Sequence, residues 1–192
     1  VRSTNPVVVG VEVACEADEG GDYVIADILP RRNYVIRRAS NLSKESHIIA
    51  ANVDQALLMA SLRSPETPTE FVDRFLVTCE AYKVPVTILL SKLDLQDAEA
   101  VAEFRAVYEG AGYRVLEVSV REGRGVEEVR ELLAGRTTLV SGNSGVGKST
   151  LIQAIDPSLD IRTGEISESH HKGRHTTTFS TMYPLAGGGA VI

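Results

Sequence analysis

The segment Gly142-Asn143-Ser144-Gly145-Val146-Gly147-Lys148-Ser149 constrains this chain more than any other, because it satisfies every fixed position of the phosphate-loop pattern G-x-x-x-x-G-K-[ST]. Its glycines let the backbone curl until successive N–H groups point at phosphate oxygens, and the helix N-terminus that follows adds partial positive charge. The pattern requires a strand before it and a helix after it. Thr137-Thr138-Leu139-Val140 is a short β-branched, apolar run, and Ser149 to Ile155 reads as first helical turns. The plain alternative, a glycine-rich turn with a chance lysine, would need neither flank. Lys148 is expected to reach the outer phosphates and Ser149 to ligate a bridging magnesium ion, with Thr150 next to them at the loop–helix junction.

A second motif lies upstream. Ser91-Lys92-Leu93-Asp94 follows Val86-Thr87-Ile88-Leu89-Leu90, a continuous apolar run of the kind that forms a fully buried parallel strand. A carboxylate at Asp94 can accept two parallel hydrogen bonds from the ring N–H and exocyclic amine of guanine, an arrangement adenine does not offer. Lys92 would lay its stem along the base plane, and a backbone N–H near Ser119 or Val120, at the end of the run from Arg114, would donate to the guanine carbonyl. By itself Ser-Lys-x-Asp could equally be a turn with a helix-capping aspartate. Ligands of open α/β sheets bind beyond the carboxyl ends of the strands, so all three motifs are expected on one rim. A nucleotide domain ordinarily opens on its phosphate loop and reads the base later; here that order is inverted.

From Val53 strands and helices alternate, which predicts a mostly parallel sheet with right-handed crossovers. Asp54 to Leu62 reads as a strand. Thr67-Pro68-Thr69-Glu70 has the form of a capping box opening a helix with Phe71, Val72, Phe75, Leu76 and Cys79 at core spacing. Further helices are expected from Asp97 to Glu109 and from Val126 to Leu133, stopped by Gly110 and Gly135. Upstream, Val7–Val13, Tyr23–Leu29 and Tyr34–Arg37 read as short strands of a small, incomplete β-barrel, with the polar run from Ala39 to Asn52 as connector. Arg31, Arg32, Arg37 and Arg38 surround Tyr34 there. Such residues can hold RNA phosphates and stack a base, or simply protect a solvated strand edge.

At 192 residues, 43% hydrophobic and 24% charged, the chain can form one sizeable core and a small satellite. No apolar run approaches eighteen residues, so a cytoplasmic protein without membrane contact is expected. The net charge of −6 excludes indiscriminate nucleic-acid binding, and Cys15 and Cys79 stand alone. His170, His171 and His175 lack the cysteine or carboxylate spacing of a zinc site. The threonine-rich stretch Gly173-Arg174-His175-Thr176-Thr177-Thr178 reads better as a switch loop whose hydroxyl joins the magnesium shell.

Together with Arg162-Thr163-Gly164-Glu165-Ile166-Ser167 and Leu29-Pro30-Arg31-Arg32-Asn33-Tyr34, these features make the chain resemble the circularly permuted, small-ribosomal-subunit-dependent GTPase family. The resemblance covers nearly the whole chain. It implies an α/β fold, with an oligonucleotide-binding-like β-barrel over residues 1–50 and a circularly permuted phosphate-loop GTPase domain over 51–192. It implies GTP and GDP as ligands and magnesium held by Ser149 and Thr177 with Thr176 as fallback. No water-positioning glutamine is identifiable; His175, adjacent to the switch threonines, is the nearest candidate to take the attacking water's proton, with a structural or RNA-contacting role as the equal alternative. The resemblance implies a monomeric factor that binds the small ribosomal subunit and its rRNA late in assembly and leaves after hydrolysis. Ser91 stands where the family has Asn or Thr, shortening the side chain's reach, and Val120 replaces an alanine. The family pattern continues past Ile192 into an Asp-x-x-Gly motif and a cysteine- and histidine-rich domain holding one zinc ion, so a longer protein is expected. Two other classes fit the motifs: another phosphate-loop NTPase, and an RNA-binding scaffold that nucleotide merely stabilises.

Overall fold

The computed structural model describes residues 7–38, 46–159 and 181–192, apart from the side chains at 37, 38, 46 and 47. Its centre is a six-stranded sheet in the order β7-β6-β5-β8-β10-β9, built from β5 (Gln55–Ala60), β6 (Val86–Leu90), β7 (Arg114–Glu117), β8 (Thr137–Gly142), β9 (Tyr183–Pro184) and β10 (Ala190–Val191). Only β9 runs antiparallel to its neighbour. Every residue of β5 is buried, because helices cover both faces. Side chains alternate across the sheet: Leu57 and Met59 pack with Val129, Leu133, Leu151 and Ile152 of α3 (Val126–Leu133) and α4 (Lys148–Ile155). Leu58 and Ala60 pack with Val72, Leu76, Val101 and Phe104 of α1 (Thr69–Ala81) and α2 (Ala98–Gly110). Truncating Leu57 or Leu58, both fully buried, to alanine costs about 2–5 kcal/mol.

The register aligns the carboxyl ends of the parallel strands β5, β6, β7 and β8. Met59 lies opposite Gly142, Ala60 opposite Leu90, and Leu90 opposite Glu117. The chain segments that follow these strands therefore leave the sheet at one level, and those segments carry the three motifs.

Upstream, β1 (Val13–Ala17) pairs with β2 (Tyr23–Ile28) and β3 (Tyr34–Arg38) with β4 (Ser46–Ala51), as two antiparallel ribbons. Three local expectations are corrected. The first strand begins at Val13 rather than Val7, because the chain turns at Val9-Gly10 and Val9 spends its carbonyl on the Ala51 N–H. The segment from Ser46 to Ala51 is a strand and not a connector: Ala50 and Ala51 are fully buried and answer the β3 ladder. The capping box does not form, since the buried Thr67 hydroxyl accepts the Ser61 N–H at 3.0 Å and Pro68 takes the cap position with no side-chain capping bond.

The β3–β4 ribbon is clasped to the base of the sheet. Asn33 donates to the Val53 carbonyl at 2.8 Å and accepts the Val53 N–H at 3.0 Å. Arg32 donates to the Asn52 carbonyl and to Asp54, both at 3.0 Å, while Asp54 also accepts the Thr137 N–H at 2.8 Å. That backbone donor, ahead of Arg32, holds the Asp54 carboxyl below its ordinary range. The Tyr34 ring packs on Tyr82 with centroids 4.6 Å apart. The RNA-facing reading of this stretch is revised for Tyr34, whose ring is taken up by Tyr82; Arg32 is tied to Asn52 and Asp54 but keeps an exposed side chain, and the side chains of Arg37 and Arg38 lie outside the described ones. Because Val53 is fully buried, Asn33→Ala strands two backbone groups and is expected to lower stability by about 2–4 kcal/mol in urea denaturation.

Candidate nucleotide site

The phosphate loop runs from the end of β8 into α4. Gly142 carries φ 151° and lies so close to β5 that a Cβ there would sit 2.5 Å from the Met59 carbonyl oxygen; Gly147, at φ 108°, turns the chain into the helix. The first intrahelical bond is donated by Leu151 to Gly147, and no side chain caps the N-terminus. The N–H groups of the first turn thus remain available to an anion, which is the arrangement that a polyphosphate fits.

Lys148 and Ser149 are both buried, at 4% and 7% exposure. Lys148 folds back so that its Nζ donates to the carbonyls of Gly142 and Asn143, each at 2.8 Å. Burial pushes this ammonium down to about 8. A bound phosphate would restore the charged form, so nucleotide binding near pH 8 should take up about half a proton. Affinity should hold below that pH and fall as pH rises through it. Calorimetry at pH 8 in two buffers of different ionisation enthalpy measures the uptake; none would show that the lysine does not meet the phosphates.

The base-reading segment is anchored to this loop. The buried Ser91 hydroxyl lies 2.9 Å from the Val146 carbonyl, where it can donate, with the Ala60 carbonyl at 3.1 Å as the competing acceptor. The shorter side chain therefore does reach the phosphate loop. Lys92 adopts left-handed backbone, φ 56°, and donates through Nζ to the Gly145 carbonyl at 2.7 Å and to the Ser64 carbonyl. The strained turn is held by Gln96, whose amide nitrogen lies 3.2 Å from the Ser91 carbonyl, 3.1 Å from that of Lys92 and 3.0 Å from the Ser61 hydroxyl. Asp94 then falls in a one-turn 3₁₀ helix, Leu93–Leu95, with Oδ1 accepting from the Ser119 hydroxyl at 3.0 Å. The Ser119 N–H donates to the Arg124 carbonyl, so of the two backbone donors expected for the guanine carbonyl it is Val120 that is left.

Ser91, Lys92, Asp94, Val120, Val146, Gly147 and Thr150 line one cavity of about 230 Å³ with Met59, Leu95, Val118 and Arg121. The sequence reading brought these motifs to one rim but missed Arg121 and Gln96. Arg121 directly follows Val120 and could have been found by extending the motif one residue; Gln96 carried no signal. Thr176, Thr177 and His175, with Lys172 and Arg174, lie outside the described residues. Among the described residues no group of three or more His, Cys, Asp or Glu gathers as a metal site, and no helix is long and apolar enough to cross a membrane.

Known proteins resemble this chain in sequence and fold. The family model RsgA GTPase matches residues 28–192. A Bacteroides fragilis protein named small ribosomal subunit biogenesis GTPase RsgA is 50% identical over 195 residues, spanning all of this chain and 63% of that protein. The namesake from Flavobacterium johnsoniae is 43% identical over 97% of this chain and 59% of its own length. The chain thus spans under two thirds of these relatives. Among solved structures, YjeQ from Thermotoga maritima superposes with a TM-score of 0.73 at 32% identity, over 98% of this chain and 60% of that one. YloQ, described as a circularly permuted GTPase, gives 0.63 at 25% identity, over 99% and 57%. The sheet order with the phosphate loop fourth in chain order and the base-reading strand before it is the permuted arrangement.

Proposed function

From the premise that this chain belongs to the RsgA GTPase family, we propose that it hydrolyses GTP to GDP and phosphate while assisting assembly of the small ribosomal subunit. The observation that carries the proposal is the Ser91–Val146 contact, which joins the base-reading turn to the phosphate loop in one cavity. Asp94 would read the guanine edge, Lys92 would lie along the base, and Val120 would donate to its carbonyl. The loop from Gly142 to Gly147, with Asn143, Ser144, Gly145 and Val146, would wrap the phosphates, and Lys148 would leave its two carbonyls to neutralise them. Ser149 and Thr177 are proposed to hold magnesium, which when bound supplies charge neutralisation at the transferring phosphate. His175 is proposed to orient and deprotonate the attacking water.

We place the partner surface on the small ribosomal subunit and its rRNA, with Arg31, Arg32, Arg37, Arg38, Lys172 and Arg174 as phosphate contacts. Arg32 stays in that set, since its pair with Asp54 is exposed and can yield to a phosphate. A cytoplasmic monomer without membrane contact fits this role, and a zinc ion would belong to the cysteine- and histidine-rich domain of the family, not to these residues. In a full-length protein, turnover is expected to be slow alone and to rise at least about tenfold as purified small subunits are titrated in. A flat titration would leave a generic GTPase. Equal competition by ATP would point to another phosphate-loop NTPase, and tight GTP binding without turnover even with subunits would point to an RNA-binding scaffold.

A further inference from the structure

The base-reading carboxylate has a second neighbour besides Ser119. Arg121 stands at the tip of a short loop closed by the reciprocal backbone bonds of Ser119 and Arg124, each 3.0 Å, with the Gly123 N–H donating to the Val120 carbonyl. The loop backbone is thus pinned, while the Arg121 side chain is 82% exposed. One guanidinium nitrogen lies 3.6 Å from Asp94 Oδ2, and Arg121 lines the same cavity as Asp94, Lys92 and Leu95. Oδ1 is already engaged by Ser119, so Oδ2 is the oxygen whose only ionic neighbour among the described residues is this arginine.

The chemistry of the pairing is specific. The edge of guanine that a carboxylate reads, a ring N–H beside an exocyclic amine on one carbon, is itself a guanidine fragment. An arginine guanidinium offers the same planar, parallel donors. We infer that Arg121 is a displaceable counter-ion of Asp94: in the nucleotide-free chain it neutralises the carboxylate and stands in the mouth of the base cavity, and the guanine edge replaces it. At 3.6 Å the contact is an ion pair without a hydrogen bond, so it keeps the carboxylate from standing alone while yielding to a ligand that makes two. Base entry then requires the fraction of molecules in which Arg121 has swung away. This inference deepens the guanine reading and rests on it.

The test separates entry from retention. Association and dissociation of a fluorescent GDP are followed in wild type and Arg121→Gln at about 0.3 M salt, where long-range steering of a polyphosphate is screened and a contact pair less so. Association should be about two- to fivefold faster in Arg121→Gln, the open fraction gained when an exposed pair of this kind is lost, with dissociation unchanged. In an Asp94→Asn background, read with xanthosine diphosphate, Arg121→Gln should bring no further change. Association that is equal or slower in Arg121→Gln overturns the inference, as does faster dissociation, which would make Arg121 a contact of the bound base. A wild-type chain that takes ADP as readily as GDP would instead sink the guanine reading itself.

Discussion

Lys148→Ala should weaken nucleotide binding by at least about a hundredfold and lower GTP turnover by about a thousandfold or more, while the protein remains folded. The size follows from what one charged donor aimed at developing phosphate charge is worth in a water-poor site. The foldedness follows from what Lys148 does in the free chain. Its ammonium rests on two loop carbonyls, Gly142 and Asn143, and its burial already works against the charged form. Alanine removes that desolvated charge together with its two hydrogen bonds, and the carbonyls it leaves belong to the half-buried Gly142 and Asn143, so stability by urea denaturation should change by no more than about 1–2 kcal/mol. Filter binding and phosphate release give the functional numbers. Unimpaired turnover in Lys148→Ala, with the urea midpoint preserved, would show that hydrolysis happens elsewhere.

Asp94→Asn should cost about a hundred- to a thousandfold in GDP affinity and confer binding of xanthosine diphosphate. An amide keeps one acceptor but presents N–H donors where guanine also presents donors, so one charge-assisted bond is lost and one like-facing pair is created. Xanthine carries a carbonyl in place of that amine, which turns the clash into a bond. The Ser119 hydroxyl can still donate to the carbonyl oxygen of the substituted amide, as it now does to the Asp94 carboxylate at 3.0 Å, so the turn itself should survive. Competition between GDP and xanthosine diphosphate in a displacement assay reads the exchange. If both nucleotides bind wild type and Asp94→Asn alike, Asp94 does not face the base.

Much of the site was legible because each motif is a local requirement. A glycine at 142 and one at 147, a lysine after it and a hydroxyl after that are demanded by the backbone path of one loop, and the flanking apolar runs identify its strand and helix. The alternation of Leu57 and Met59 against Leu58 and Ala60 could not be told from a uniformly apolar run by pattern alone, yet it sends each pair to a different helix layer. The N-terminal errors have a physical origin too. Ser46 to Ala51 read as polar because its first two residues are Ser and His, whereas its strand character comes from pairing with β3 and from the burial of Ala50 and Ala51, Ala50 in the core that holds Val35, Cys79 and Leu139. Thr67 looked like a cap, but the donor it meets is the Ser61 N–H across the turn.

What the sequence determined by itself is the chemistry available: a phosphate cradle, a base-reading carboxylate, and their inverted order, all set by residue type and spacing within single turns. What only the tertiary structure decided is which groups spend that chemistry on one another. Ser91 reaches Val146, Arg32 is taken by Asp54, Tyr34 is covered by Tyr82, and Arg121 stands against Asp94. These partners are 55, 22, 48 and 27 residues apart along the chain, beyond the reach of any local pattern. The first and last pairs meet because the parallel register brings strand ends that are distant in sequence to one level of the sheet, and the middle two because the β3–β4 ribbon is clasped to the base of that sheet.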